Sequence, residues 1–341
     1  MKGLIKPAFV LTLLLLALGE LGARLFYAQK VSGRFEYGYH PSAGFVEHAD
    51  GRVELFRAGG RRFYPQSFKK PRPPGTFRIM VIGDSVPRGP GLKEAYPWLV
   101  REELREHNIQ AESVNLSVPG YGARRCRIVF KKVLEMDPSL IILHLNHSNE
   151  YEDEREFRRS REYQSWHPRH WPLKIFIFRR LYEVKLEKLF WRFIPEPIRV
   201  KYAKSDADVQ VAASLDARQL EAWQRLVEEA AAEDVALARE RNLPVLLITQ
   251  CRLEPDARQS LSLNDHGLDA LGKSLAGPGV YFLSMKEVFS GIPDLKSHFA
   301  DTGHLKRSGH RLLAQAIFQR IMQEQVSLGL PDLKAAKGGG G

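Results

Sequence analysis

From Phe77 onward, short apolar runs alternate with amphipathic stretches. No other feature constrains the fold as much. Phe77–Ile82 reads as a buried strand, broken only by Arg78. Ala95–His107 has helical spacing, with Tyr96, Leu99, Val100 and Leu104 on one face. Ala111–Leu116 is a second strand, Arg124–Leu134 a helix and Ser139–Leu145 a third strand. A long helix over Ala213–Arg241 leads to a fourth strand at Pro244–Thr249 and a fifth at Val280–Leu283. Ser308–Gln325 is a closing amphipathic helix. Strands that alternate with helices imply an α/β fold whose parallel sheet is covered on both faces. Such sheets bind ligands at the carboxyl ends of their strands.

Those strand ends carry the chemistry. Gly83-Asp84-Ser85 follows the first strand, and Ser117-Val118-Pro119-Gly120-Tyr121-Gly122 follows the second. Asp301-Thr302-Gly303-His304-Leu305 precedes the closing helix. A serine hydroxyl is a poor nucleophile at neutral pH and needs an imidazole to take its proton. The imidazole needs a carboxylate to fix its tautomer and stabilise its charged form. Ser85, His304 and Asp301 supply these three groups. The competing reading makes Ser85 a helix cap, His304 a surface histidine and Asp301 a turn residue.

These blocks resemble the GDSL/SGNH hydrolase family over about Phe77–Gln325. The family's strand-Gly-Asp-Ser block is Gly83-Asp84-Ser85 here. Its Asn-x-x-x-x-Gly turn is Asn115 to Gly120, and its Asp-x-x-His-Leu block is Asp301 to Leu305. The Gly-x-Ser-x-Gly elbow of the α/β-hydrolases is absent. The resemblance implies a flavodoxin-like three-layer α/β/α sandwich and ester hydrolysis or acyl transfer without a cofactor. It implies an oxyanion hole built from the backbone N–H groups of Ser85 and Gly120 and a side-chain amide, with Asp84 shaping the loop. The third block departs from the family's Gly-x-Asn-Asp. Here it is His144-Leu145-Asn146-His147-Ser148-Asn149-Glu150. Ungapped counting puts Ser148 at the amide position and Asn146 at the glycine. A shift of one residue puts Asn149-Glu150 there instead. Asn149 is chosen because some branches of the family carry Asn-Glu followed by an aromatic, as in Asn149-Glu150-Tyr151.

The rest of the chain concerns location. Lys2 and Lys6 precede an apolar run from Ala8 to Gly19 that continues to Ala23, with Glu20 interrupting it. That length reaches the lower end of a bilayer span, and no convincing cleavage site follows. Residues 1–28 are therefore expected to be a signal anchor or signal peptide, which places the catalytic domain outside the cytoplasm. Residues 29–75 read as a juxtamembrane segment and linker, with short strands at Arg52–Phe56 and Arg62–Tyr64. Residues 76–330 form the hydrolase-like domain, and 331–341 a flexible tail. Within that domain, 151–212 is an insertion rich in Trp, Phe, Lys and Arg. It reads as a helical cap over the sheet, or as a surface that contacts a membrane. His167 and His170 lack further ligands at metal spacing, so no metal site is expected. The net charge of +11 suits an anionic partner. No nucleic-acid module is present, so lipid headgroups are favoured over nucleic acid. Cys126 and Cys251 are too few for a disulfide framework and read as separate half-buried thiols, although an oxidising compartment would let them pair.

Two functional classes follow. One is an ester hydrolase or O-acyl transferase acting on acylated glycan or lipid of the cell envelope. The other is a binding protein that keeps the fold without the chemistry.

Overall fold

The computed structural model describes residues 5–28, 44–55, 63–146, 149–150, 152–153, 166–168, 171, 175, 217–255 and 260–330. In chain order, helix α1 (Ile5–Ala28) comes first. Three short strands follow, β1 (Phe45–Glu47), β2 (Arg52–Leu55) and β3 (Gln66–Lys69). Next come β4 (Phe77–Ile82), α2 (Ser85–Arg88), α3 (Tyr96–Glu106), β5 (Ala111–Asn115), α4 (Ala123–Val133) and β6 (Leu140–Leu145). Helix α5 (Ala217–Glu240) leads to β7 (Val245–Thr249) and the hairpin β8 (Arg252–Pro255) and β9 (Leu261–Asn264). The chain closes with α6 (Leu268–Leu275), β10 (Val280–Ser284), α7 (Met285–Phe289) and α8 (Arg307–Gln323).

The main sheet has the order β10-β7-β6-β4-β5, and every pair in it is parallel. Counting its own strands along the chain gives 2-1-3-4-5, the flavodoxin-like order. β4 and β6 are buried at every position, as expected for strands covered on both faces. Met80 and Ile82 face one core with Val129, Phe130 and Val133 of α4 and Ala231 and Val235 of α5. Ile79 and Val81 face the other, with Val100 and Leu104 of α3 and Leu313 and Ile317 of α8. The expected three layers are therefore present.

Two features differ from the sequence reading. First, the small antiparallel sheet β1-β2-β3 is not a separate juxtamembrane segment. Phe45, Val53, Leu55 and Phe68 share the core of α4, so residues from Phe45 belong to the domain. Its third strand is Gln66–Lys69 rather than Arg62–Tyr64. Only Phe68 of that strand is buried, too little apolar signal to read. Second, among the described residues no helix is long and apolar enough to cross a membrane. The expected N-terminal segment is helical over Ile5–Ala28, and Glu20 interrupts its apolar run. Cys126 and Cys251 are free thiols, as the sequence reading expects, but fully buried, and they lie in the two cores on opposite faces of the sheet. The cap expected over 151–212 falls almost wholly outside the described residues.

Arg78, the one charge in β4, is explained by its partners. It is fully buried, and its Nε donates to Glu112 Oε2 at 2.6 Å. Its other nitrogens donate to the carbonyls of Met136 and Lys69, each at 2.6 Å, and of Lys70 at 3.1 Å. The guanidinium lies over the Phe68 ring, 5.2 Å from its centroid. One side chain thus joins β4 to β5, to the end of α4 and to the small sheet. Arg78→Met would strand these acceptors in the interior. It should lower stability by about 3–5 kcal/mol in urea unfolding. A loss below about 1 kcal/mol would mean that the carbonyls find water instead.

Candidate active site

The chain after β4 turns sharply into α2. Gly83 is required there, because a Cβ would lie 2.6 Å from Pro87 Cγ and 2.9 Å from His144 Cβ. Asp84 caps the helix, its Oδ1 accepting the Val86 N–H at 2.9 Å. Pro87 stands in the first turn, where its missing N–H costs nothing. Ser85 opens the helix, with its hydroxyl at the carboxyl end of the sheet.

Asp301 and His304 arrive on a turn before α8. Asp301 Oδ1 accepts the N–H groups of Gly303 and His304, each at 2.8 Å. The turn is anchored on both sides. Leu253 N–H donates to the Thr302 carbonyl at 2.7 Å, and Lys306 N–H to the His298 carbonyl at 2.8 Å. Gly309 lets α8 approach, since a Cβ there would lie 2.5 Å from the His298 oxygen.

The structure brings the three predicted groups together. His304 Nε2 is 2.8 Å from Ser85 Oγ, although the residues are far apart in sequence. His304 Nδ1 is 2.9 and 2.8 Å from the two oxygens of Asp301. Partial burial alone would raise the Asp301 carboxyl, but the bonds from Gly303, from the His304 backbone and from its ring hold it below the usual range. An ionised carboxylate only accepts, so Nδ1 carries the ring proton. Nε2 is left to accept from the serine hydroxyl. Ser85, His304 and Asp301 can therefore pass a proton from hydroxyl to imidazole.

The amide candidates are placed differently. Asn146 is buried at the end of β6, and Ser148 lies outside the described residues. Asn149 Nδ2 donates to Asp84 Oδ2 at 3.0 Å and to the Tyr121 carbonyl at 3.3 Å. It is thus beside the Ser85 turn, with both amide protons engaged. Gly120 adopts φ +75°, the left-handed region glycine favours, and its carbonyl accepts from Arg125 Nη2. The neighbouring Asn115 is buried and binds the Pro87 carbonyl at 2.9 Å, which fixes the far side of α2.

Several supporting groups carry no motif of their own. Asp84 is buried, and burial pushes its carboxyl up to about 6 against the Val86 N–H, the His304 charge and the Asn149 amide. Beneath the turn, Tyr96 OH shares a hydrogen bond with His144 Nδ1 at 3.2 Å. His310 Nδ1 accepts the Tyr96 N–H at 3.4 Å. Burial, then the neighbouring histidine His310, pushes His144 down to about 3. Burial, then His304, pushes His310 down to about 4. The small sheet also contributes. Tyr64 OH donates to the Gly89 carbonyl at 3.2 Å and its ring lies 4.0 Å from the Arg88 guanidinium carbon. A lone histidine in an apolar strand or a tyrosine before a helix gives no sequence signal of this layer.

No family model matches the chain, and no curated protein does. Among solved structures it is similar to an acetyl xylan esterase, AlAXEase, at 14% identity over 72% of this chain and 99% of that one, with a TM-score of 0.42. TesA shows 14% identity over 72% of this chain and 97% of its own, also with a TM-score of 0.42. A catalytic mutant of Axe2, an acetylxylan esterase from Geobacillus stearothermophilus, shows 15% identity over 72% and 93%, with a TM-score of 0.42. Likenesses this distant decide nothing about the chemistry.

The buried histidines and the buried carboxylates predict opposing pH dependences of stability. An unfolded histidine binds a proton below about 6.5, whereas folded His144 and His310 refuse it until about 3 and about 4. Their contribution is whole above about 6.5 and is lost as pH falls toward those values. Asp84 opposes them, because its folded carboxyl takes a proton below about 6, before the unfolded one does. Glu150, raised to about 7, and Asp234, raised by burial, oppose the histidines in the same way. The test is therefore the change each variant makes to the slope of the urea midpoint between pH 6.5 and 4.5. His144→Gln should shift it toward stability at acid pH, and Asp84→Asn toward stability at neutral pH. Identical slopes in all three proteins would rule out this assignment.

Proposed function

We propose that this protein is a serine ester hydrolase, or an O-acyl transferase working through the same acyl-enzyme, of the GDSL/SGNH type. The observation that carries the reading is the hydrogen-bonded line from Ser85 Oγ to His304 Nε2 at 2.8 Å and from Nδ1 to Asp301. In the first half-reaction Ser85 Oγ attacks the ester carbonyl carbon and its proton passes to Nε2. Asp301 stabilises the imidazolium. The oxyanion is held by the N–H groups of Ser85 and Gly120 and by the Asn149 amide. For this Asn149 gives up its longer bond, at 3.3 Å to the Tyr121 carbonyl, while Asp84 keeps the amide aimed. The imidazolium then protonates the departing alkoxide and leaves an acyl-Ser85. Water, or a sugar hydroxyl in the transferase, gives its proton to His304 and takes the acyl group, and the imidazolium returns that proton to the departing Ser85 Oγ. The chain supplies every group these steps require, and no cofactor enters them.

The proposed substrate is an acylated carbohydrate or lipid at the extracytoplasmic face of a membrane, and nucleic acid is not a partner. The location is supported by α1, whose Phe9, Leu15 and Leu18 are about three-fifths exposed. Leaving such side chains in water costs about 25 cal/mol per Å². The exposed Trp166 and Trp171 of the insertion offer a second, interfacial contact. The engagement of both Asn149 amide protons favours one rival, a binding protein that keeps the fold without turnover.

A fluorophosphonate separates the two readings, since only an activated Ser85 is labelled. Ser85→Ala and His304→Ala should each lower kcat by about 10⁴-fold or more, with folding unchanged. The double variant should be hardly worse than either single one. Multiplicative losses would break the shared triad. The full chain should sediment with lipid vesicles through the exposed apolar side chains of α1, whereas a chain beginning at Lys30 should sediment less and be released by high salt. Equal sedimentation of the two would remove α1 as a membrane contact.

A further inference from the structure

Two of the oxyanion donors proposed above come from different elements. Gly120 lies in the turn before α4, and Asn149 lies in the loop after β6. Something must set their separation, and a buried ionic cluster joins the two segments. Glu150 and Asp153 are both fully buried. Glu150 Oε1 accepts the Ala123 N–H at 2.5 Å, and its Oε2 pairs with Arg124 Nε at 3.3 Å. Asp153 accepts the Gly122 N–H at 2.8 Å and the Arg125 N–H at 3.0 Å, and it pairs with the Arg125 side chain. The other end of that guanidinium donates to the Gly120 carbonyl. On the opposite side, Asp153 N–H donates to the Asn149 carbonyl at 3.1 Å. The path from Asn149 through Asp153 and Arg125 to Gly120 is therefore closed by hydrogen bonds. Gly122 makes room for it, because a Cβ there would run into Glu150 Oε1 and lie 2.7 Å from Asp153 Oδ2.

We infer that Glu150, Asp153 and Arg125 are positioning residues that hold Gly120 and Asn149 at the spacing an oxyanion requires. This rests on the ester-hydrolase reading. A helix needs its first N–H groups satisfied, and an N-cap from the preceding turn would do that locally. Gly122 has no side chain to serve, so the acceptors come from the loop that carries Asn149. Capping the helix and spacing the donors are then one interaction. Burial and the neighbouring Asp153 charge push Glu150 up to about 7, against the Ala123 N–H and Arg124. A glutamine there imitates the protonated form and keeps the acceptor oxygen.

The test uses p-nitrophenyl acetate, with end-point fluorophosphonate labelling of Ser85 to count competent molecules. Glu150→Ala and Asp153→Ala should lower kcat per labelled serine by about 10- to 100-fold, less than the roughly 10²–10³-fold cost of removing a donor outright. KM should stay within about twofold. Glu150→Gln should recover to within about threefold of the parent. If either alanine variant fails to fold, Arg125→Lys answers in its place. It keeps the charge opposite Asp153 but loses the fork to the Gly120 carbonyl, and should lose about tenfold in kcat. An unchanged kcat per labelled serine, with only stability reduced, would make the cluster a helix cap and nothing more. A glutamine variant as poor as alanine would also overturn the inference. If the parent protein neither labels nor turns over, the ester-hydrolase reading fails first and takes this one with it.

Discussion

Parallel neighbours in a sheet cannot be joined by a tight turn, so each pair needs a crossover that leaves the sheet and returns. β4 is crossed in both directions. From β4 the chain goes out through α3 to β5, and from β5 it returns through α4 past β4 to β6. A right-handed crossover reverses its face when it reverses direction along the sheet. α3 and α4 accordingly pack in opposite cores. Their loops part at the carboxyl end of β4, and the crevice that opens there receives Ser85, the turn of Gly120 and the loop of Asn149. The site is a consequence of the strand order before it is a consequence of any side chain.

The floor of that crevice is polar and buried. Asp84, Asn115, His144 and His310 lie within a few residues of the nucleophile's turn in space, and all are almost wholly removed from water. Each buried polar group costs free energy unless it is bonded. Here the bonds run to the backbone of α2, to Tyr96 and to Asn149. The layer fixes the direction of the Ser85 turn; its depressed histidines favour the fold at neutral over acid pH, and the raised Asp84 opposes them. Asp301 and His304 differ in being about half exposed. Their geometry comes from a short turn that binds itself, so it needs little from the core.

The small sheet β1-β2-β3 adds a support that the region from β4 to α8 alone would lack. Gln66 exchanges two hydrogen bonds at 2.9 Å with the backbone of Asn115, and Tyr64 reaches Gly89. Arg78 ties the same strand to β4 from below. These contacts brace α2 and the end of β5 from the side opposite α8.

Apolar periodicity determined the strands and helices of the main sheet, because a strand buried on both faces must be apolar almost throughout. Gly83, Ser85, Asp301 and His304 were legible for a related reason. A turn pressed against Pro87 and His144 needs glycine, and a proton relay of hydroxyl, imidazole and carboxylate admits few residue types. The sequence could not show the third strand of the small sheet, where a single buried phenylalanine carries the whole signal. Nor could it show the layer beneath Ser85 or the cluster around Arg125. Asn149 was selected by motif, but its bonds to Asp84 and Tyr121 belong to tertiary structure. Only the fold brings the end of β6 against the start of α4, where buried carboxylates meet peptide N–H groups. Local propensity records what a residue prefers along the chain, and it holds no record of a partner that arrives across space.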